Sequence, residues 1–445
     1  MIPPAPAPKI MHGGAFQQKA QNMISMFLPE GFPSSVSSSY LRYSSWSMAA
    51  SIFTSASGVL ATSSLLVALG VGSQALPLSA ATTWVLKDGL GQLGGMLSAA
   101  LLGNRFDLDP KRWRQVSAIA QDSAGALEVC VLALAPIITL PFLPCAAAAN
   151  VARNVAWLSA SATRASLHSS LARRGNLADI TAKAGSQTTA AYTLGTALGV
   201  TLSMISSDPT IALALYTTLA LGHQGCVYLS LKAIPLVTLS PARLHLAWEK
   251  VVNCFSQTTF EGIRTPEQVL ALETFLPWLP VTPHTQSKQV TILEDEHTLA
   301  NEKVGKAGVG TEWEAFEVQG EAIPSHAIVA GRGGEIFLIL GQNAGLRDVL
   351  LAHLHGARVS TELEKIRKVS IESGDLEAAL PLEARVQAVQ RARTWVDSHG
   401  EDIISKMESL GWRTAEPLLP GCLGNVRWEF TSRGDEDEKP VVREK

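Results

Sequence analysis

Lys87 and Asp88 stand side by side in a stretch that carries no other charge. From Tyr43 to Leu86 there is no Asp, Glu, Lys or Arg, and none again from Gly89 to Asn104. A charged side chain at the centre of a bilayer costs roughly 2.5–3.5 kcal/mol, so such a pair must neutralise itself, lie near an interface or face a polar cavity. Two readings follow: a salt bridge at a helix start, or an ion pair held inside a bundle for a solute. Asp179 and Lys183, in NLADITAKAGSQ, are the further candidates for ion pairing or solute contact. The turn RFDLDPKRWR holds Lys111, Arg112 and Arg114; it reads as a water-side turn, or as a basic contact for anionic lipid or a phosphorylated ligand. Metal chemistry finds no support. His353 and His355, two apart, fall on different helix faces, and the five cysteines form no C-x-x-C pair. The cluster Gly331-Arg332-Gly333-Gly334 lacks the trailing Lys-Ser/Thr of a phosphate loop and reads as a hairpin turn.

The elements that would position these residues are apolar helices rich in small side chains. Segments 59–76, 89–104, 129–152, 186–205 and 210–231 are candidate spans; 129–152, with Pro136, Pro141 and Pro144, reads as a broken membrane helix. The strongest is the hairpin 186–205 and 210–231. Asp208-Pro209 turns it, and both outer flanks are basic (Arg173, Arg174 and Lys183 before, Lys232 and Arg243 after), which satisfies the positive-inside rule. Gly89, Gly91, Gly94, Gly195 and Gly199 are the positions expected to let helices approach closely. Asp109-Pro110 reads as a helix start, Asp as N-cap and Pro at the first helical position. Residues 23–46 read as an irregular entry with aromatics at a membrane interface, and 151–179 as a helical pattern along a surface or polar seam.

Charged residues make up 17% of the 445 and the net charge is −3. Typical soluble domains carry roughly 25% charged residues, and the shortfall here lies in the first 250. Nothing in this balance favours nucleic acid as a partner. The expected architecture is therefore mainly α: a tail at 1–22, a polytopic helical membrane domain at 23–250, a helix and linker at 251–325, a small soluble α+β domain at 326–432 and a charged tail at 433–445. In the second half, 326–340 reads as two short strands, 346–358 as a helix, 376–410 as one or two helices broken near Ser398-His399-Gly400, and 426–431 as a strand.

Four stretches in this order, FLPEGFPSSVSSSYLRYSSW, WVLKDGLGQLGG, FDLDPKRWR and NLADITAKAGSQ, closely resemble the root UVB-sensitive (RUS) family over about residues 23–250. That resemblance implies a membrane-associated protein with no established catalytic chemistry, tied in plants to ultraviolet-B response, vitamin B6 (pyridoxal phosphate) homeostasis and auxin transport. It implies a lipid bilayer as environment, and a family member or a second copy as partner, with the compartment open between plastid, mitochondrion and endomembrane. It carries over no catalytic residue and no bound cofactor. The chain departs from the family pattern at Phe32, where Tyr is usual, and at Ser39, Ser47, Ala184 and Thr188, where acidic residues are common.

Three functions fit. A multi-pass protein could move or gate a small solute linked to vitamin B6 or another organic anion, with Lys87, Asp88 and Lys183 facing a polar cavity and Arg112 and Arg114 at its mouth. A non-transporting membrane scaffold could recruit partners through its second half. A pyridoxal-phosphate enzyme using Lys87 or Lys183 as a Schiff base ranks last, since no phosphate cup or acidic pyridine partner is evident.

Overall fold

The computed structural model describes residues 25–68, 78–102, 106–107, 109–134, 142–206, 208–253, 260–278, 290–292, 326–330, 336–340, 344–372, 380–415, 428–429 and 443–444. The expected tail at 1–22, the Gly331–Gly334 turn, residues 293–325 of the linker and all of the charged tail but 443–444 lie outside these residues. The protein is mainly helical and divides into two units, Met1–Ile234 and Pro235–Lys445. The sequence reading put its boundary at 250; the structure assigns the helix over Pro241–Val252 to the second unit, because its apolar face, Leu244, Trp248 and Val251, belongs to that unit's core.

Among its described residues the first unit contains α1 (Tyr40–Ala68), α2 (Leu78–Leu102), α3 (Pro110–Ala133), α4 (Phe142–Ser169), α5 (Leu177–Ile205) and α6 (Pro209–Leu231). Local chemistry sets several of their starts. The Asp109 carboxylate accepts the Arg112 N–H at 3.3 Å, and the Asp208 carboxylate accepts the Thr210 N–H at 2.6 Å, each ahead of a proline at the first helical position. Helix α1 lies against α3, α5 and α6; α3 also packs on α4 and α6, and α2 packs on α4. Alanines fill the seams: Ala56, Ala61, Ala118, Ala146, Ala149 and Ala191 are buried.

Glycines set the closest approaches. A Cβ at Gly195 would lie 2.4 Å from the Ile52 carbonyl oxygen, and one at Gly199 would lie 2.8 Å from that of Ala56, so α1 and α5 meet backbone to backbone. A Cβ at Gly91 or Gly94 would strike Asn150 or Val151 of α4. Gly89 is a correction: among the described residues nothing lies within 4 Å of a Cβ there, so it seats none of the helices described.

Among the described residues two helices are long and apolar enough to cross a membrane, Tyr40–Ala68 and Pro110–Ala133, with mean hydropathy 1.5 and 1.3 over their best windows. The expected spans are corrected accordingly. Helix α1 begins at Tyr40, so Tyr43 and Trp46 sit on its first turns rather than in an entry loop; of the span expected at 59–76, residues 59–68 belong to α1 and the rest lie outside the described residues. The span expected at 129–152 is split between the end of α3 and the start of α4, and 151–179 joins most of α4 to the start of α5. The hairpin forms as α5 and α6, but neither is among the two apolar enough; threonines in both, and His223 with Gln224 in α6, lower their hydropathy.

In the second unit α7 (Pro241–Val252) and α8 (Pro266–Leu272) precede a three-stranded sheet, with Thr265 and Gln268 forming a capping box on α8. Strand β1 (Val290–Ile292) runs parallel to β3 (Ile336–Leu340), and β2 (His326–Ala330) pairs antiparallel with β3 in the register His326 to Leu340. Helices α9 (Leu346–Glu372) and α10 (Leu382–Ser409) pack together over one core with the sheet. Helix α10 runs unbroken through Ser398-His399-Gly400; a Cβ at Gly400 would lie 2.6 Å from Leu351 Cδ2, so that glycine seats α9 rather than ending a helix. Strands β4 (Trp428–Glu429) and β5 (Arg443–Glu444) form a separate pair.

Candidate functional site

Helix α1 carries hydroxyls at Ser44, Ser47, Ser51, Thr54, Ser55, Thr62 and Ser63, spaced three, four or seven apart in the main and so gathered on one face. That face lines two adjoining cavities of the first unit. One, of 190 Å³, lies among α1, α3, α4 and α5 and is bordered by Tyr43, Arg114, Arg164, His168, Gln187 and His223. The other, of 380 Å³, continues along α1 from Thr54 to Ser63 and is bordered by Arg153. Thr54, Gln121 and Tyr192 border both. The charged side chains of the two linings are Arg114, Arg164 and Arg153, and no carboxylate lies among their described residues. At a rise of 1.5 Å per residue the stretch of α1 from Tyr43 to Ser63 is ~30 Å long, close to the thickness of a bilayer's hydrocarbon core.

Polar networks brace this wall. Ser55 Oγ donates to the Tyr192 carbonyl at 2.9 Å, and Gln187 Nε2 donates to the Tyr40 hydroxyl at 3.1 Å. Between α3 and α4, the Arg153 guanidinium forks onto the fully buried Glu128 carboxylate, with Nη1 to Oε1 at 2.8 Å. Between α3 and α6, both oxygens of Asp122 lie 2.9 Å from His223 Nδ1, and Gln224 donates to the same carboxylate. The Tyr216 hydroxyl donates to the Asp122 carbonyl at 2.6 Å, its ring lying over Gly125, where a Cβ would come within 2.3 Å of the hydroxyl oxygen.

The residues singled out from sequence are not gathered into one site. Arg114 borders the cavity. Lys87 and Asp88 do form an ion pair, at 2.6 Å, but along α2, where Asn150 Nδ2 donates to the Lys87 carbonyl and to Asp88 Oδ1, and the Lys87 ammonium lies 4.5 Å from the Trp84 ring centre. Neither borders either cavity. Lys183 donates to the Ser25 carbonyl at 2.6 Å and Asp179 accepts the Glu30 N–H at 2.7 Å, so both hold the segment before α1 against α5. Lys111 is fully buried at the start of α3, while Arg112 is half-buried beside it. Ser47, Ala184 and Thr188, three of the positions noted as departures, do border the cavity. Reading along the chain missed Asp122, Glu128, Arg153, Arg164 and His223. Their signal was present, since each is a titratable residue within a helical pattern rich in small and apolar ones. What was missing was the pairing, which joins residues 25 and 101 apart in sequence.

The first unit is thus a mainly helical bundle whose cavities are lined by hydroxyls and arginines and braced by buried polar networks. Residues 15–254 match the family described as "Vitamin B6 photo-protection and homoeostasis domain". The chain belongs to that family, the root UVB-sensitive (RUS) proteins. It is 26% identical over 418 residues to "Protein root UVB sensitive 3" of Arabidopsis thaliana, covering 93% of this chain and 88% of that one. It is 34% identical over 232 residues to "Protein root UVB sensitive 2, chloroplastic" of Arabidopsis thaliana, 52% of each. Against "RUS family member 1" of Dictyostelium discoideum it is 30% identical over 259 residues, 56% of this chain and 47% of that one. With the last two, therefore, the chain shares about half their length. No solved structure matches.

Proposed function

We propose that the first unit is embedded in a membrane, binds a small anion related to phosphorylated vitamin B6 in the cavity beside Arg114 and Arg164, and moves it along the hydroxyl face of α1. The observation that carries this reading is the charge of the cavity: arginines on its lining and no carboxylate among the described residues there. Arginine is the side chain best matched to phosphate or carboxylate, through planar, paired donors. The membrane part rests on what the bundle turns outward. Leu93, Met96 and Leu101 of α2, Leu194 and Met204 of α5, Leu221 of α6 and Trp157 of α4 are all exposed. Apolar side chains on four helices make a poor face for water and a good one for lipid.

The reading treats the chain as a binder and carrier without chemistry of its own. Lys87 is engaged with Asp88 and Lys183 with the Ser25 carbonyl, which disfavours either as a Schiff-base lysine. The roles in ultraviolet-B response or auxin transport would be consequences of the solute moved, and the second unit would face water. The test is uptake of labelled pyridoxine 5′-phosphate into vesicles containing the full-length chain. Arg114→Gln with Arg164→Gln should reduce uptake tenfold or more, while Lys87→Ala, outside the cavities, should leave it within about twofold. Uptake unchanged by the double substitution, or absent with the unaltered protein, removes the proposal.

A further inference from the structure

Asp122 and His223 meet beside the cavity, and binding an anion as described above gives them no task. His223 borders the cavity while its Nδ1 lies 2.9 Å from both oxygens of Asp122. Gln224 donates to that carboxylate and Gln115 donates to Gln224 at 2.7 Å, so the carboxylate is held in place from two sides. A carboxylate at Nδ1 fixes the ring proton there and leaves Nε2 with the lone pair. Among the described residues Nε2 takes no hydrogen bond, so the basic nitrogen is the one left for whatever enters the cavity.

Helix α6 packs against α1 and α3. From Tyr43 onward α1 brings no charged side chain, only hydroxyls. Helix α3 brings Asp122, Arg114 and Glu128, the last neutralised by Arg153 of α4. Arg164 and His168 of α4 and Tyr192 of α5 border the same cavity, and Tyr216 of α6 donates to the Asp122 carbonyl. With imidazole neutral the Asp122–His223 pair carries one negative charge, which opposes an anion nearby; one proton on Nε2 cancels it.

We propose that His223 is a proton-binding site linked to the anion site: a proton enters at Nε2 when the anion enters the cavity, and leaves when it leaves. This rests on the anion-binding reading above. Linkage is reciprocal, so bound anion also holds the proton more tightly.

Calorimetric titration of the full-length chain in detergent with pyridoxine 5′-phosphate, repeated at pH 7 in buffers of different ionisation enthalpy, counts the protons taken up per ligand. The free ligand's own phosphate contributes alike with every variant and cancels in the difference. The expected result is that the unaltered protein takes up close to one proton more than His223→Gln, which binds the ligand more weakly because it lacks the linked proton. Asp122→Asn, which keeps the contact but removes the charge, should take up fewer protons per ligand than the unaltered protein under the same conditions; a purely structural contact would not change the count. Equal proton counts in the unaltered protein and His223→Gln, or an unchanged count in Asp122→Asn, overturns the linkage while leaving anion binding intact. No binding heat with the unaltered protein removes the anion reading and this proposal together.

Discussion

His326 and His355 of the second unit show how one contact fixes a pH response. The two rings meet edge to face, His326 Nε2 lying 3.2 Å from His355 Nδ1, and His355 Nε2 reaches the Val389 carbonyl at 3.2 Å. Burial, with Arg393 nearby, pushes His326 down to about 3, and burial pushes His355 down to about 4. The folded unit thus binds these protons less readily than the unfolded chain, whose histidines titrate near 6.5. Their contribution is complete above pH 6.5 and is lost as pH falls toward the folded values, with a cost of about 2 kcal/mol per histidine by pH 5. Urea unfolding of the full-length chain, followed at the second unit, should therefore lose stability between pH 7 and 5, and His355→Leu should flatten that slope. An equally steep slope in the variant would refute the assignment. At this scale the sequence spoke only in part. The adjacency of Lys87 and Asp88 announced their ion pair. But the partner of His355 lies on a strand 29 residues earlier, and only folding reveals it.

Elements were legible where a local signal existed. Asp-Pro announced the starts of α3 and α6, and Gly195-x-x-x-Gly199 announced the contact of α5 with another helix; its partner, α1, could not be read from that motif. Helix ends without such punctuation were misplaced, as at Tyr40, because the prolines and glycine at 29–33 and the aromatics after them suggested an irregular entry. Glycines separate into two kinds here, and the distinction is measurable. Gly195→Val would press a side chain into the Ile52 carbonyl and should cost about 1–3 kcal/mol or push α1 and α5 apart. Gly89→Ala, in open space on α2, should be neutral or stabilising by up to ~1 kcal/mol. Thermal melts of the detergent-solubilised protein compare them directly, and equal losses would contradict the packing.

For the molecule as a whole, composition separated a charge-poor first half from an ordinary second half, and the division into Met1–Ile234 and Pro235–Lys445 follows that contrast. The family, too, was visible in four motifs. Hidden from a linear reading was which apolar segments face one another and which face outward, since alanine, glycine and serine serve either environment. A membrane-embedded first unit makes a topological prediction. Cysteines introduced at Asp208, between α5 and α6, and at Gly175, before α5, should react with an impermeant reagent from opposite sides of a sealed vesicle. Labelling of both from one side would rule out a spanning α5. Along α1, meanwhile, the Ser51 hydroxyl donates to the Ser47 carbonyl and that of Ser55 to the Tyr192 carbonyl, both at 2.9 Å. Donors already committed to the backbone have little left for a travelling anion. Such a solute would linger where guanidinium groups wait and hurry through the stretch between them, so turnover would be governed by release from the arginines rather than by friction along the passage.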